Sequence, residues 1–271
     1  MSEEKRRRAI EALEQSLDGD RRNAHVHAEL AELYMQEGSL TSRIQADRHL
    51  QRALRIDPDH VPYRVQYGRL KRMQGFHHAA RGEFKKALEI DPRSADAYYH
   101  LGAICEEEVL HFRDMIDGPI RFERFAENNE WKAIDYFRKA LQIDPSHRDA
   151  LFHLGLICCE GGEYEEMAGL YRKILDTDPD DKNARLFLGL ALYRQEEGEA
   201  AWEAFEMARG YMTEDERLVF ESIENLLNPE ERKQNQAAPA ENRDQLADRF
   251  WDRQDPLFLT EYNERILEHY S

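Results

Sequence analysis

The sequence predicts an all-α helical-repeat solenoid, and three observations predict it. A short string ending in Asp-Pro recurs four times: ALRIDP to Pro58, ALEIDP to Pro92, ALQIDP to Pro145 and ILDTDP to Pro179. The spacings are 34, 53 and 34 residues, so one repeat carries 19 extra. Between the strings, apolar residues fall at the three- and four-residue intervals of amphipathic helices. A period of 34 with two helices per unit is the signature of stacked helix pairs, each burying its apolar face against the next.

The register inside each unit agrees. With the terminal Pro numbered 32, position 8 is Gly68, Gly102, Gly155 and Gly189. Position 20 is Ala80, Ala133, Met167 and Ala201, and position 27 is Ala87, Ala140, Ile174 and Ala208. Position 24 is large: Phe84, Phe137, Tyr171 and Phe205. Small residues let two helices approach closely, and the large one fills the space between successive units. The Pro cannot continue a helix, so it ends the second helix of each pair.

This pattern resembles the tetratricopeptide repeat family from about Ala24 to Met212. The resemblance implies a right-handed α-α superhelix of five units: 24–58, 59–92, 93–145 with the 19-residue insertion, 146–179 and 180–213. The first unit places Leu30, Ala31 and Tyr34 at positions 7, 8 and 11 and has about three extra residues in its GSLTSR turn. The fifth lacks the terminal Pro. Residues 1–23 hold an N-terminal capping helix over Glu3–Leu17. Residues 214–228 hold a second capping helix, opened by a Thr213–Glu216 capping box and carrying the stripe Leu218, Val219, Phe220, Ile223, Leu226, Leu227.

The insertion lies between Cys105 and Trp131. Val109, Leu110, Phe112, Met115 and Ile116 extend the first helix of the third unit. Asp117-Gly118-Pro119 breaks it. A short second helix carrying Ile120, Phe122 and Phe125 then leads back to Trp131. The insertion reads either as a neutral surface elaboration or as a partner-specific contact formed by Phe112, Met115, Phe122 and Phe125, since that much apolar area is unusual for a neutral loop.

Composition narrows the function classes. A net charge of −17 repels phosphates and argues against nucleic-acid binding. The basic run Lys5–Arg8 reads as a solvated helix face. No run approaches the apolar length a membrane span needs, so no membrane insertion is expected, and the first residues lack the apolar core of a secretory signal. Three cysteines, Cys105, Cys158 and Cys159, have no disulfide spacing and read as reduced, which fits a cytoplasmic protein. There is no phosphate loop, HExxH, CxxC or nucleophile elbow. His77-His78 reads as a solvated turn, and Glu106-Glu107 and Glu165-Glu166 as solvent faces. No enzyme, no cofactor and no metal site are expected.

In the family that the repeats resemble, the first helix of each unit lines a concave groove at positions 2, 5, 6, 9, 12 and 13. The resemblance places Val65, Arg69, Arg72, Tyr99, His100, Phe152, His153, Leu156, Leu186, Phe187, Leu190 and Tyr193 there, with packing between helices the equal alternative for Leu156, Phe187 and Leu190. Chaperone-binding members hold a carboxylate with Lys at position 5 and Asn at 6 and 9. Position 5 here is Ala28, Val65, Tyr99, Phe152 and Leu186, so that clamp is absent. The groove reads as basic near the second unit and aromatic to aliphatic toward the fifth, and suits an extended or helical peptide with apolar anchors and some acidic character.

Residues 229–245 lack large apolar side chains and read as a linker. The segment 246–271 resembles the start of the GWxTD domain, a bacterial module, through Phe250-Trp251, Asp255-Pro256, Thr260 and Asn263-Glu264. Gln254 and Phe258 depart from the family pattern, and the eponymous string is absent. Phe250, Trp251 and Phe258 are expected to dock on the chain's own late repeats or on a second copy. The sequence thus predicts a non-catalytic scaffold binding a protein or peptide in the groove. The alternative is a docking or regulatory arm for an activity in a further C-terminal domain. Self-association through the tail is the third reading.

Overall fold

A computed structural model of the chain describes residues 2–113 and 119–222, with Leu227, Pro229, Glu230, Arg232, Lys233 and Tyr270; the side chains at 18 and 110–127 also lie outside the description. Among the described residues there are α-helices and no strands: α1 (Glu3–Gly19), α2 (Ala24–Glu37), α3 (Leu40–Ile56), α4 (Val61–Met73), α5 (His77–Ile90), α6 (Ala95–Arg113), α7 (Pro119–Ile143), α8 (Arg148–Gly161), α9 (Tyr164–Thr177), α10 (Lys182–Arg194), α11 (Gly198–Gly210) and α12 (Glu214–Phe220). The fold class is the all-α helical-repeat solenoid that the period predicts. The helices fall into two compact units, residues 1–150 and 151–271.

Helix pairs close over the position-8 glycines. A Cβ on Gly102 would stand 2.7 Å from the ring of Phe137, and one on Gly155 2.7 Å from Tyr171. On Gly189 it would stand 2.8 Å from Phe205, and Gly68 faces Phe84 in the same way. These rings are at most 1% exposed, so they cannot swing aside. The position-24 ring therefore fills the close approach inside its own pair. Phe84 also meets the next pair, sharing a core with Ala97, Leu101 and Ile104. In the first pair the partners change size together: Ala31 replaces the glycine and Leu50 the aromatic, and both are fully buried in one cluster.

The last three recurrent Asp-Pro strings each do two jobs. The Asp backbone N–H closes the last helical turn, as Asp91 does on the Ala87 carbonyl at 2.8 Å. Its carboxylate then accepts the N–H two residues on: Arg93 to Asp91 at 2.9 Å, Ser146 to Asp144 at 3.0 Å, Asp180 to Asp178 at 3.3 Å. This local turn fixes the chain reversal before the Pro-terminated helix gives way to the next one. N-caps receive the following helices: Asn23 accepts from Val26 N–H, and Asp181 from Ala184 N–H. Thr213 and Glu216 form the reciprocal capping box that the sequence predicts for α12. α12 ends at Phe220, short of the predicted 214–228 helix: Glu221, Ser222 and Leu227 are not helical, and Ile223, Glu224, Asn225, Leu226 and Asn228 lie outside the described residues.

Two length changes resolve differently from the sequence reading. The extra residues of the first pair do not enlarge its turn. They lengthen α3, which begins at Leu40 because Ser39 Oγ caps it on the Ser42 N–H at 3.1 Å. The insertion does not make a separate short helix. α7 runs unbroken for 25 residues from Pro119 through Trp131. Proline is tolerated at a first helical position, and no Gly or Pro follows before Ile143. α6 is likewise extended, to 19 residues. The insertion contacts Phe112, Met115, Phe122 and Phe125 lie outside the described side chains. At its base, Glu108 binds Arg81 through two hydrogen bonds of 2.6 and 2.7 Å and accepts one from Asn129 at 3.4 Å, tying α5, α6 and α7 together.

Within a pair, the turn between helices uses the left-handed conformation: Gly38 (φ 77°), Gly75 (φ 77°) and Gly162 (φ 76°). The N–H after each of the last two reaches back to close the helix end, Phe76 to the Lys71 carbonyl at 2.9 Å and Glu163 to that of Cys158 at 2.8 Å. In the last pair the same place is held by Glu196 at φ 63°. A side chain there costs roughly 1–2 kcal/mol. Glu196→Gly is therefore expected to stabilise the chain by up to about 1 kcal/mol after the entropy cost of glycine. Urea unfolding should show the midpoint rising; a lower midpoint would contradict the strain.

Candidate functional site

A pocket of about 560 Å³ opens on unit 1 between α4, α6 and the start of α8. Val61, Pro62 and Val65 form its apolar wall, and Gln66, Arg69 and Arg72 continue along α4. Ser94, Asp96, Tyr99 and His100 come from the start of α6, His147 and Asp149 from the start of α8. Five of the sequence-predicted groove residues thus meet here: Val65, Arg69, Arg72, Tyr99 and His100. Val65, Arg69 and Arg72 lie on one face because i, i+4 and i+7 along α4 are neighbours on a helix, and Tyr99 and His100 join them from α6.

The pocket is less basic than the sequence reads. Arg69 is paired with Glu32 at 3.3 Å and Arg72 with Glu107 at 3.2 Å. Gln66 also donates to Glu32, at 3.0 Å, and to the Ala28 carbonyl, at 2.9 Å. The acids arrive from α2 and from the fourth turn of α6, far away in sequence. Glu107 also takes His77 at 3.4 Å. Consequently neither Glu107 nor His77, the first residue of α5, is the freely solvated group that the sequence implies. Asp96 and Asp149 add further carboxylates. Both occupy position 2 of their units, a groove position of the family pattern, so that signal was available in the sequence.

His100 forms the floor. It is buried, its ring stacks on Phe84 at 5.1 Å, and its Nδ1 has no hydrogen-bond partner among the described residues. Burial, reinforced by Arg72 and Arg69, pushes its pKa down to about 2, so the ring is neutral. Tyr99 is buried against Phe137 and His147 while its edge lines the pocket, and it therefore serves both core and groove. His147 accepts the Ala150 N–H on Nδ1 at 3.2 Å and donates from Nε2 to Asp96 at 3.1 Å. Burial opposes its charge, but Asp96 raises its pKa overall, and the same bond lowers that of Asp96.

The remaining predicted groove residues lie in unit 2. Phe152 meets Phe187 edge-on at 5.3 Å, and Phe187 stacks on Tyr171 at 5.3 Å, so these rings pack largely on one another. His153 stands edge-on to Phe152 at 6.3 Å. Leu156 and Leu190 are half-buried. Leu186 and Tyr193 pack beside the cluster of Leu192, Ala201 and Phe205. Phe250, Trp251 and Phe258 lie outside the described residues. No group of three or more metal-ligating side chains occurs among the described residues.

Residues 132–182 and 168–215 match the tetratricopeptide repeat model. These spans take in α8 to α11 whole, the helices in which position 8 is Gly155 and Gly189. Among solved structures, Pseudomonas aeruginosa PilF is similar over 92% of this chain and 97% of its own, at 15% identity and a TM-score of 0.59. PilW, described as a type IV pilus biogenesis factor, is similar over 90% and 98%, at 17% identity and a TM-score of 0.55. MamA covers 69% of this chain and 91% of its own, at 23% identity and a TM-score of 0.47. At these identities the first two likenesses support the fold alone. Among curated proteins, no sequence matches the chain.

Outside the groove, the first repeat buries a histidine pair. His27 Nε2 donates to the Arg21 carbonyl at 3.2 Å, so in the neutral ring Nδ1 is an acceptor, facing His49 Nδ1 at 2.9 Å. His49 must then donate, and it stacks on Tyr34 at 5.8 Å. Burial lowers both pKa values, His49 to about 4, with His27 and Arg52 adding to the effect there. Folded-state values below the ordinary 6.5 mean that the unfolded chain binds more protons. The stability these rings support is whole above pH 6.5 and falls as pH drops below it. His147, raised by Asp96, works in the opposite sense and loses its contribution as pH rises. Lowering pH from 7 to 5 is expected to cost about 2 kcal/mol through His49 alone, at about 1.36 kcal/mol per pH unit. Urea unfolding at the two pH values checks this against His49→Gln, which should show a shallower pH dependence. An equal dependence would contradict it.

Proposed function

We propose that the chain is a protein-interaction scaffold whose unit 1 groove binds a peptide segment of a partner protein. The observation that carries this is the floor of the pocket: a buried, neutral His100 with an Nδ1 that has no hydrogen-bond partner among the described residues, beneath two arginines that are each already paired with a carboxylate. A mixed lining suits polypeptide, because a peptide backbone brings donors and acceptors together. The apolar wall of Val61, Pro62 and Val65 takes one aliphatic anchor. An acidic side chain beside it exchanges with Glu32 or Glu107 for Arg69 and Arg72, and carboxylate-to-guanidinium hydrogen bonds are worth roughly 1.5–3 kcal/mol each. Nothing in this reading requires bond making or breaking, in keeping with a non-catalytic role.

The test is selection of random displayed peptides on the full chain. Enriched peptides should carry an acidic residue close to an aliphatic one. Arg69→Ser with Arg72→Ser should weaken them at least tenfold, about 1.4 kcal/mol, with an unchanged melting temperature. Enrichment that is indifferent to both arginines would overturn the assignment of the groove.

A further inference from the structure

The end of unit 2 carries an aromatic cluster that the groove reading does not use. Trp202 and Phe205 stand on α11, and Phe220 is the last residue of α12. α12 has seven residues, none of them buried, and Val219 is 79% exposed. A helix that short does not persist alone in water, nor does it cover the outer face of α11. The described residue that completes the cluster is Tyr270. Its ring stacks on Phe220 with centroids 4.4 Å apart and 23° between planes, and lies near-parallel to Trp202 at 6.2 Å and 17°. It meets Phe205 at 5.8 Å and 65°, the edge-to-face geometry aromatic rings favour.

The phenol end of this socket is polar. Arg209 pairs with Glu206 at 2.7 Å and with Glu221 at 3.4 Å. Glu206 Oε1 is buried without a hydrogen-bond partner among the described residues. Arg209 reaches the phenol oxygen, while burial and the Glu221 carboxylate push the Tyr270 pKa up to about 12. Tyr270 is therefore a protonated hydroxyl beside two carboxylates and a guanidinium, able to donate and accept at once. Three rings for the body of the side chain and charged groups for its tip form a site matched to a phenol rather than to a phenyl ring or an aliphatic chain.

We propose that the outer face of α11 and the end of α12 form a receptor for a tyrosine side chain, and that this chain's own penultimate residue, Tyr270, is its resident ligand. The α10–α11 pair thereby gains a wall that α12 does not supply. The site lies on a different helix of the repeat from the groove of unit 1 and stands or falls independently of it.

The experiment is fluorine NMR of the full chain labelled with 5-fluorotryptophan, with the Trp202 resonance assigned through Trp202→Phe. Tyr270→Ala should shift the Trp202 resonance and leave that of exposed Trp131 in place. A synthetic peptide of residues 266–271 (ILEHYS) should restore it in Tyr270→Ala and leave the wild type unchanged, because the tethered ligand already fills the site. Tyr270→Phe should keep the stacked shift, and the Phe version of the peptide should bind more weakly than the Tyr version, by several-fold. An unmoved Trp202 resonance in Tyr270→Ala would overturn the receptor. A wild-type resonance that drifts toward the Tyr270→Ala position on strong dilution would assign the occupant to a second copy and overturn the resident ligand.

Discussion

Everything in this chain depends on how closely two helices of a pair can approach. The limit is set where a backbone without a Cβ meets an aromatic ring. Gly68, Gly102, Gly155 and Gly189 each lie against a ring that is fully enclosed, with no room for a methyl group. Interiors are packed near crystal density, so this contact is a fixed distance rather than a cushion. It fixes the pair, and the pair fixes which residues of the first helix are left to line the unit 1 pocket. Val65, Arg69 and Arg72 flank Gly68 on α4. Tyr99 and His100 precede Gly102 on α6. The first pair shows the same constraint with other parts, since Ala31 with Leu50 divides the volume differently and both remain buried.

Much of this was legible in the sequence because it is periodic. The Asp-Pro strings, the small residue at position 8 and the large one at position 24 each repeat, and repetition exposes a packing rule without a structure. The 25-residue α7 was misread because Asp117-Gly118-Pro119 marks a break correctly, while Pro119 can also begin a helix. The extra residues after Gly38 read as loop because a single Ser at 39 gives little notice of the cap it makes. Both differences concern where an element starts; at α3 one local hydrogen bond, from the Ser42 N–H to Ser39, decides it.

The candidate site was legible in its parts but not in its charge. The family resemblance puts Arg69 and Arg72 among the groove positions, yet their partners Glu32 and Glu107 come from helices before and after α4. No local pattern announces a contact across 37 residues. The His27–His49 pair and the socket of Tyr270 share this character: each joins residues far apart in the chain, none of which is unusual alone. Where the repeat rule holds, sequence suffices; where one repeat differs from its neighbours, tertiary contact decides. Functional groups in a repeat array belong to the second class, because a scaffold that only repeated would bind nothing in particular.

The most direct test of the glycine–aromatic constraint is a double-mutant cycle on Gly68→Ala and Phe84→Leu, read by urea unfolding. Alanine favours helix by about 1 kcal/mol over glycine, so propensity alone predicts that Gly68→Ala stabilises. Overpacking against an enclosed ring predicts the reverse, a loss of about 1–3 kcal/mol. Phe84→Leu opens the space that the new methyl needs and reproduces the Ala31–Leu50 combination. The double variant should therefore be more stable than the sum of the single losses predicts, by at least about 1 kcal/mol. Additive losses, or a Gly68→Ala variant more stable than the wild type, would contradict the account.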